Sequence, residues 1–212
     1  MRAYAPGEEI RAIDWRASAR KGSLLVRERG HVPLAWGALL DTSASMRAGR
    51  NRSLQEAAQE AVDAWRRCAA AGDRWIDVAS ENDYGLMHGL DRAQRVMPAH
   101  GALLVAGDFF ELAEIHEGLL RVVARRLDCT ALVARDPWRD GLALAGFVTV
   151  ADLETRDVRR FFIGARSQMR FQREAGERER AALARLRRAG WRAGTFTEDD
   201  GGRALLRAFG AA

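Results

Sequence analysis

The sequence predicts an α/β fold, a doubly wound and mostly parallel sheet with helices on both faces. Two observations carry this. Residues 34–40 and 102–106 are unbroken runs of apolar residues and glycine of strand length, as expected of strands buried on both faces. Around them, stretches with apolar residues at three- and four-residue steps alternate with further short extended runs. Strands alternating with helices indicate parallel pairing.

In chain order, residues 1–30 are polar and turn-rich, with one extended candidate at 24–29. The run 34–40 ends in Asp41-Thr42-Ser43-Ala44-Ser45. A helix is expected over 53–71, where Leu54, Ala57, Ala58, Ala61, Val62, Trp65 and Cys68 share a face. Ser53 with Glu56 three residues on forms a capping box, and Gly72 is the expected stop. Strands follow at 74–80 and, more weakly, at 84–88 after an Asn82-Asp83 turn; then come a short helix at 90–96 and the strand 102–106, which ends in Gly107-Asp108. Residues 113–127 read as a helix with Ile115, Leu119, Val122, Val123 and Leu127 in one stripe. A strand at 130–134 and two short strands at 147–150 and 160–163 lead to a long helix over 167–189. That helix has acids early and Arg185, Arg187 and Arg188 late, which suits its dipole, and Gly190 ends it. Its Arg-rich face, interleaved with Glu174, Glu177 and Glu179, reads as solvated. A strand at 191–197 and a helix at 203–209 finish the chain. Trp36, Trp65 and Trp75 fall on core-facing positions.

Composition narrows the function. Thirty-four basic residues, of which only Lys21 is lysine, stand against 29 acids, for a net charge of +5 over 212 residues. The length suits one domain with at most an appendage. The longest clean apolar run lies near 33–40, far short of a membrane span. Residues 1–9 lack the apolar stretch of a signal peptide, so a cytoplasmic location is expected. Cys68 and Cys129 form no C-x-x-C pair and read as reduced, mostly buried thiols. The four histidines show no zinc-binding spacing. Neither a helix-turn-helix pattern nor an aromatic–basic stacking motif stands out, so nucleic acid is not an expected partner.

The chemistry concentrates in Asp41-x-Ser43-x-Ser45. In a doubly wound sheet, ligands sit outside the carboxyl ends of the strands. A carboxylate and two hydroxyls at that edge can converge on one hard cation, and Mg2+ takes oxygen ligands while keeping several waters. A position then stays open for a partner's carboxylate.

Asp41-Thr42-Ser43-Ala44-Ser45-Met46 resembles the metal-ion-dependent adhesion site of von Willebrand factor A domains. Upstream, Tyr4-Ala5-Pro6-Gly7-Glu8, Arg11-Ala12-Ile13-Asp14-Trp15, Ser18-Ala19-Arg20 and Leu25-Val26-Arg27-Glu28 resemble the signature of one bacterial family of uncharacterised von Willebrand factor A-like proteins. Members are often encoded beside MoxR-type AAA+ ATPases. The likeness is dense over residues 2–46 and looser beyond. It implies a von Willebrand factor A-like domain over 33–212, with a family-specific segment over 1–32 packing on its edge. It also implies a Mg2+-dependent interaction module, not an enzyme. Such a module would work with the ATPase in assembly or metallocofactor maturation of another protein, for example a methanol-oxidation-type dehydrogenase. Asp41, Ser43, Ser45 and Asp108 would be its metal site, completed by a partner's acidic residue.

Two features depart from the pattern. The threonine such sites carry between the two loops has no counterpart between Met46 and Asp108; Ser80 and Asp91 are the nearest substitutes. The site would then hold Mg2+ through water or be vestigial, leaving a structural scaffold. Relatives also carry membrane-spanning helices upstream, which makes this chain a short form or a fragment. In the N-terminal segment, Pro6-Gly7 reads as a turn, Trp15 is expected in an apolar pocket, and Arg11 or Arg20 is expected to pair with Asp14 or Glu8. An aspartyl-phosphate phosphoester hydrolase using Asp41 is a weaker reading, because that chemistry calls for a second Asp where Ser43 stands. A serine hydrolase would need a G-x-S-x-G elbow, which the sequence lacks.

Overall fold

The computed structural model describes residues 2–5, 9, 13–26, 33–78, 85–110, 112–140, 146–151 and 157–210. They fall into two compact units, Met1–Pro33 and Leu34–Ala212. Pro6-Gly7, Glu8, Arg11, the Asn82-Asp83 turn and Ser80 lie outside the described residues.

In the first unit, β1 (Arg2–Ala3) pairs antiparallel with β2 (Leu25–Val26), and Ile13 makes a single bridge to Val26. Helix α1 (Trp15–Lys21) starts where Asp14 Oδ1 accepts from the Ala17 N–H at 3.0 Å. It stops at Gly22, whose φ of 67° closes the turn. Ser18 ties helix to strand: its hydroxyl donates to Asp14 O at 2.7 Å and accepts from Leu25 N at 2.9 Å. Trp15 is 61% exposed, not pocketed: within this two-turn helix only Ser18 is buried. Arg20 donates to the Arg16 carbonyl.

The second unit is built on five parallel strands: β3 (Ala35–Leu40), β4 (Arg74–Asp77), β5 (Ala102–Gly107), β6 (Asp128–Ala134) and β9 (Arg192–Phe196). Their spatial order is β4-β3-β5-β6-β9, so the chain reverses direction across the sheet between β3 and β5. This is the doubly wound α/β architecture the sequence predicts. Helix α2 (Leu54–Arg67) and α6 (Ala204–Ala208) cover one face; α3 (Gly85–Val96), α4 (Glu117–Arg126) and α5 (Ala165–Arg188) cover the other. Central β5 is buried at every residue, as its unbroken apolar run requires. Each fully buried leucine, such as Leu104 or Leu120, contributes roughly 2 kcal/mol of burial.

Several elements differ from the sequence reading. Residues 85–88 are not a strand but the first turn of α3. Leu86, Gly89, Leu90, Ala93 and Met97 recur at helical steps and bury against the sheet. Gly89 permits that approach, since a Cβ there would stand 2.6 Å from Leu39 Cδ1. Helix α2 has the expected Ser53–Glu56 capping box but ends at Arg67, and Gly72 lies in the following turn at φ 99°. Cys68, just past that helix, is exposed, so only Cys129 is a buried thiol. The buried stripe of α4 is Leu120 and Val123, continued by Leu127; Val122 is half-exposed, and Ile115 projects from a preceding 3-10 turn. The first turn of α5 carries no acid. The last helix is split into a 3-10 turn (Gly201–Arg203) and α6. Trp65 is buried, while Trp36 and Trp75 are half-buried at the core edge. Finally, β7 (Gly146–Ala151) and β8 (Val158–Ile163) pair antiparallel with each other and not with the main sheet.

Candidate functional site

Asp41 and Asp108 follow the carboxyl ends of β3 and β5, the two strands between which the sheet reverses. Crevices at that point are where doubly wound sheets bind ligands. The Asp41 N–H donates to the Ala106 carbonyl at 2.9 Å, extending the β3–β5 ladder by one bond and tying Asp41 to the end of β5. Gly107 supplies the room. A Cβ there would stand 2.7 Å from Asp41 Cβ and 2.8 Å from Oδ2.

The loop after β3 folds back on its aspartate. Asp41 Oδ1 accepts from the Ser43 N–H at 2.9 Å. A 3-10 turn (Ala44–Arg47) follows, anchored by fully buried Met46. This brings the Ser43 and Ser45 hydroxyls to 2.9 Å from each other. Ser45 Oγ donates to Asp108 Oδ2 at 2.5 Å, and Asp108 Oδ1 accepts from Phe110 N at 2.9 Å. All four predicted residues therefore meet on one cavity of about 360 Å3, which is also lined by Gly85, Leu86, Phe109 and Phe110. The backbone at Phe109 is left-handed, φ 55°, although its side chain is buried. Strain of this kind is commonly stored at functional sites.

A third segment supports the loop. Buried Glu198, beyond β9, accepts from Arg50 N at 2.5 Å and Asn51 N at 3.3 Å. Its backbone carbonyl accepts from Arg52 Nε. Sequence reasoning passed over Glu198, and no local motif marks it. Nearby, Asp200 accepts from Thr197 N and Oγ1 and takes both nitrogens of the Arg207 fork. Burial acts to raise its pKa, but the Thr197 and Arg207 hydrogen bonds win and hold it below the ordinary range.

The donor set is oxygen only: two carboxylates and two hydroxyls. That suits a hard cation such as Mg2+. Asp41 is 7% exposed, and among the described residues no arginine or lysine forms an ion pair with it. Among the described residues no three histidine, cysteine, aspartate or glutamate side chains form a metal-binding group. Beyond the two carboxylates, a cation here would rely on the serines and on water. Asp91 does not substitute for the absent threonine. It lies on α3, bonded to Gln94 and Arg95, on a separate groove with His88 and Arg92.

Fold and site together define a doubly wound α/β domain with an aspartate–serine loop at the switch point of its sheet. A family model described as "Protein of unknown function DUF58" matches residues 1–74, which span the first unit, β3, the Asp41–Ser45 loop and α2. No curated protein and no solved structure matches the chain.

Proposed function

We propose that the chain is a non-enzymatic protein-interaction module of the von Willebrand factor A type, acting through Mg2+ held at Asp41, Ser43, Ser45 and Asp108. The observation that carries this reading is the convergence of two carboxylates and two hydroxyls on the cavity at the switch point. Asp41 would bind the ion directly or through water, the two serines would supply hydroxyl oxygens, and Asp108 would hold an ion-bound water. A bound Mg2+ supplies a positive centre for a partner's Asp or Glu. The chain's own part is to keep these oxygens converged: Gly107 leaves space for Asp41, Met46 anchors the serine loop, and Glu198 holds the segment behind it.

The partner we propose is a MoxR-type AAA+ ATPase, and the role is assembly or metallocofactor maturation of another protein. The likeness of residues 1–74 to the uncharacterised family supports this together with the signature around Arg11–Trp15 and Ser18–Arg20. One observation favours a second reading, a scaffold with a vestigial site. The Ser45–Asp108 hydrogen bond joins the two loops directly through their own side chains. Capture of a purified MoxR-type ATPase on immobilised chain separates the two. Capture that needs Mg2+ and fails with Asp41→Ala supports the module. Capture indifferent to chelator and to Asp41→Ala selects the scaffold. No capture under any condition removes the ATPase from the account.

A further inference from the structure

The β7–β8 hairpin and the start of α5 form an apolar, arginine-rich arm that the function above does not use. Residues 158–173 contain five arginines (Arg159, Arg160, Arg166, Arg170, Arg173) and no acid. The same stretch exposes large apolar side chains: Val158 and Phe162 at 65%, Met169 at 62% and Phe161 at 50%. Phe147, opposite Phe162 in the hairpin register, is 70% exposed. None of the first ten residues of α5 is buried; the first are Ala175 and Gly176. Ion pairs of Arg159 with Asp157, Arg170 with Glu174 and Arg173 with Glu177 are solvent-exposed and therefore weak.

A hairpin that docks by one face normally shows one apolar and one polar face. Here the alternation gives both faces the same character. Phe147, Phe162, Val158 and Arg160 lie on one side; Val150, Phe161 and Arg159 lie on the other. A flat protein surface would cover one set and leave the other in water. A nucleic acid would need open ring faces on which to stack bases. Phe147 is instead packed edge-on against Phe162 at 5.3 Å and covered by the Arg160 guanidinium at 5.0 Å. Exposed Val150, Val158 and Met169 offer nothing to stack on. Apolar side chains on both faces, with arginines beside them and no acid in the run, suit immersion in the interface of an anionic bilayer. There aromatic and aliphatic groups enter the acyl boundary and arginines meet the lipid headgroups. Asp157, just before β8, lies at the opposite end of the hairpin from the Phe147–Phe162 pair. The end bearing the Phe147–Phe162 pair is therefore the one that would enter.

We propose that this arm is a peripheral binding element for anionic membrane surfaces. The test is co-sedimentation of the full chain with phosphatidylcholine vesicles, with and without a minor fraction of phosphatidylglycerol. Two variants accompany the native chain: Arg159→Glu/Arg160→Glu and Phe147→Ser/Phe162→Ser. All four side chains lie outside both core clusters, so the variants should fold, and circular dichroism checks this. The expected result is binding to the anionic vesicles only, falling as salt rises. The arginine variant should partition at least roughly thirtyfold more weakly, and the phenylalanine variant should lose most binding as well. Equal binding to neutral vesicles, no binding, or binding unchanged in both variants overturns the proposal. So does an arm that ignores vesicles but binds single-stranded RNA or polyglutamate, or one that only makes the chain dimerise.

Discussion

Ser45 Oγ and Asp108 Oδ2 are 2.5 Å apart although 63 residues separate them in the chain. One belongs to the loop after β3, the other to the loop after β5, and only the parallel pairing of those strands brings them together. Asp41 rests against the end of β5 because residue 107 has no side chain. Gly107→Ala would place a methyl 2.7 Å from Asp41 Cβ, a contact that must be relieved by moving the aspartate or the strand end. The expected outcome is a loss of about 1–3 kcal/mol in urea unfolding, as for other overpacked sites. Loss of any Mg2+ response should accompany it. An unchanged unfolding midpoint and Mg2+ response would show that Asp41 does not need this space.

The capping box of α2 gives a local stability prediction. Ser53 Oγ accepts from Glu56 N at 3.2 Å, and Glu56 Oε2 accepts from Ser53 N at 3.2 Å. Ser53→Ala should cost about 1 kcal/mol. Ser53→Asp should restore most of it in the same denaturant titration.

The two cysteines should differ sharply. Cys68 is exposed, whereas burial pushes the Cys129 thiol up to about 12, helped by the nearby Asp128 charge. A thiol at that value is protonated at neutral pH and unreactive. A colorimetric thiol reagent should label one cysteine per native chain quickly and the second only on unfolding. Cys68→Ser should abolish the fast phase. Two fast equivalents would contradict the buried placement of Cys129.

The Asp200 clasp sets a pH dependence. Its folded pKa lies below the ordinary carboxylate value, so it contributes stability above the unfolded value of about 3.9. That contribution is lost as pH falls through the folded value. Asp200→Asn should therefore be less stable than the native chain at pH near 7, by an amount that shrinks as acid protonates Asp200. Urea unfolding at a series of pH values checks this; a difference that does not shrink in acid would refute it.

Much of the frame could be read from the sequence because its signals are local. The 34–40 and 102–106 runs, the Ser53–Glu56 box and the Asp41–Ser45 loop each lie within a few consecutive residues. What could not be read depends on distant partners. Residues 84–88 look extended when taken alone, yet residues 85–88 are helical, because Leu86, Leu90 and Met97 bury against the sheet, with Gly89 close against Leu39. The role of Glu198 behind the serine loop joins residues about 150 apart and leaves no local trace. Of the expected stripe, Leu119, Val123 and Leu127 do face the core, but Val122 and Ile115 do not, and Leu120, which the stripe left out, is fully buried. The arginine and phenylalanine content of 158–173 is plain in the sequence, but that the hairpin stands apart from the main sheet is a fact of topology.

The central claim is that Asp41, Ser43, Ser45 and Asp108 hold a cation. Calorimetric titration of Mg2+ into the native chain and into Asp41→Ala tests it most directly. The account predicts saturable single-site heat with the native chain and none with the variant. No heat with the native chain, or equal heat with both, would contradict it.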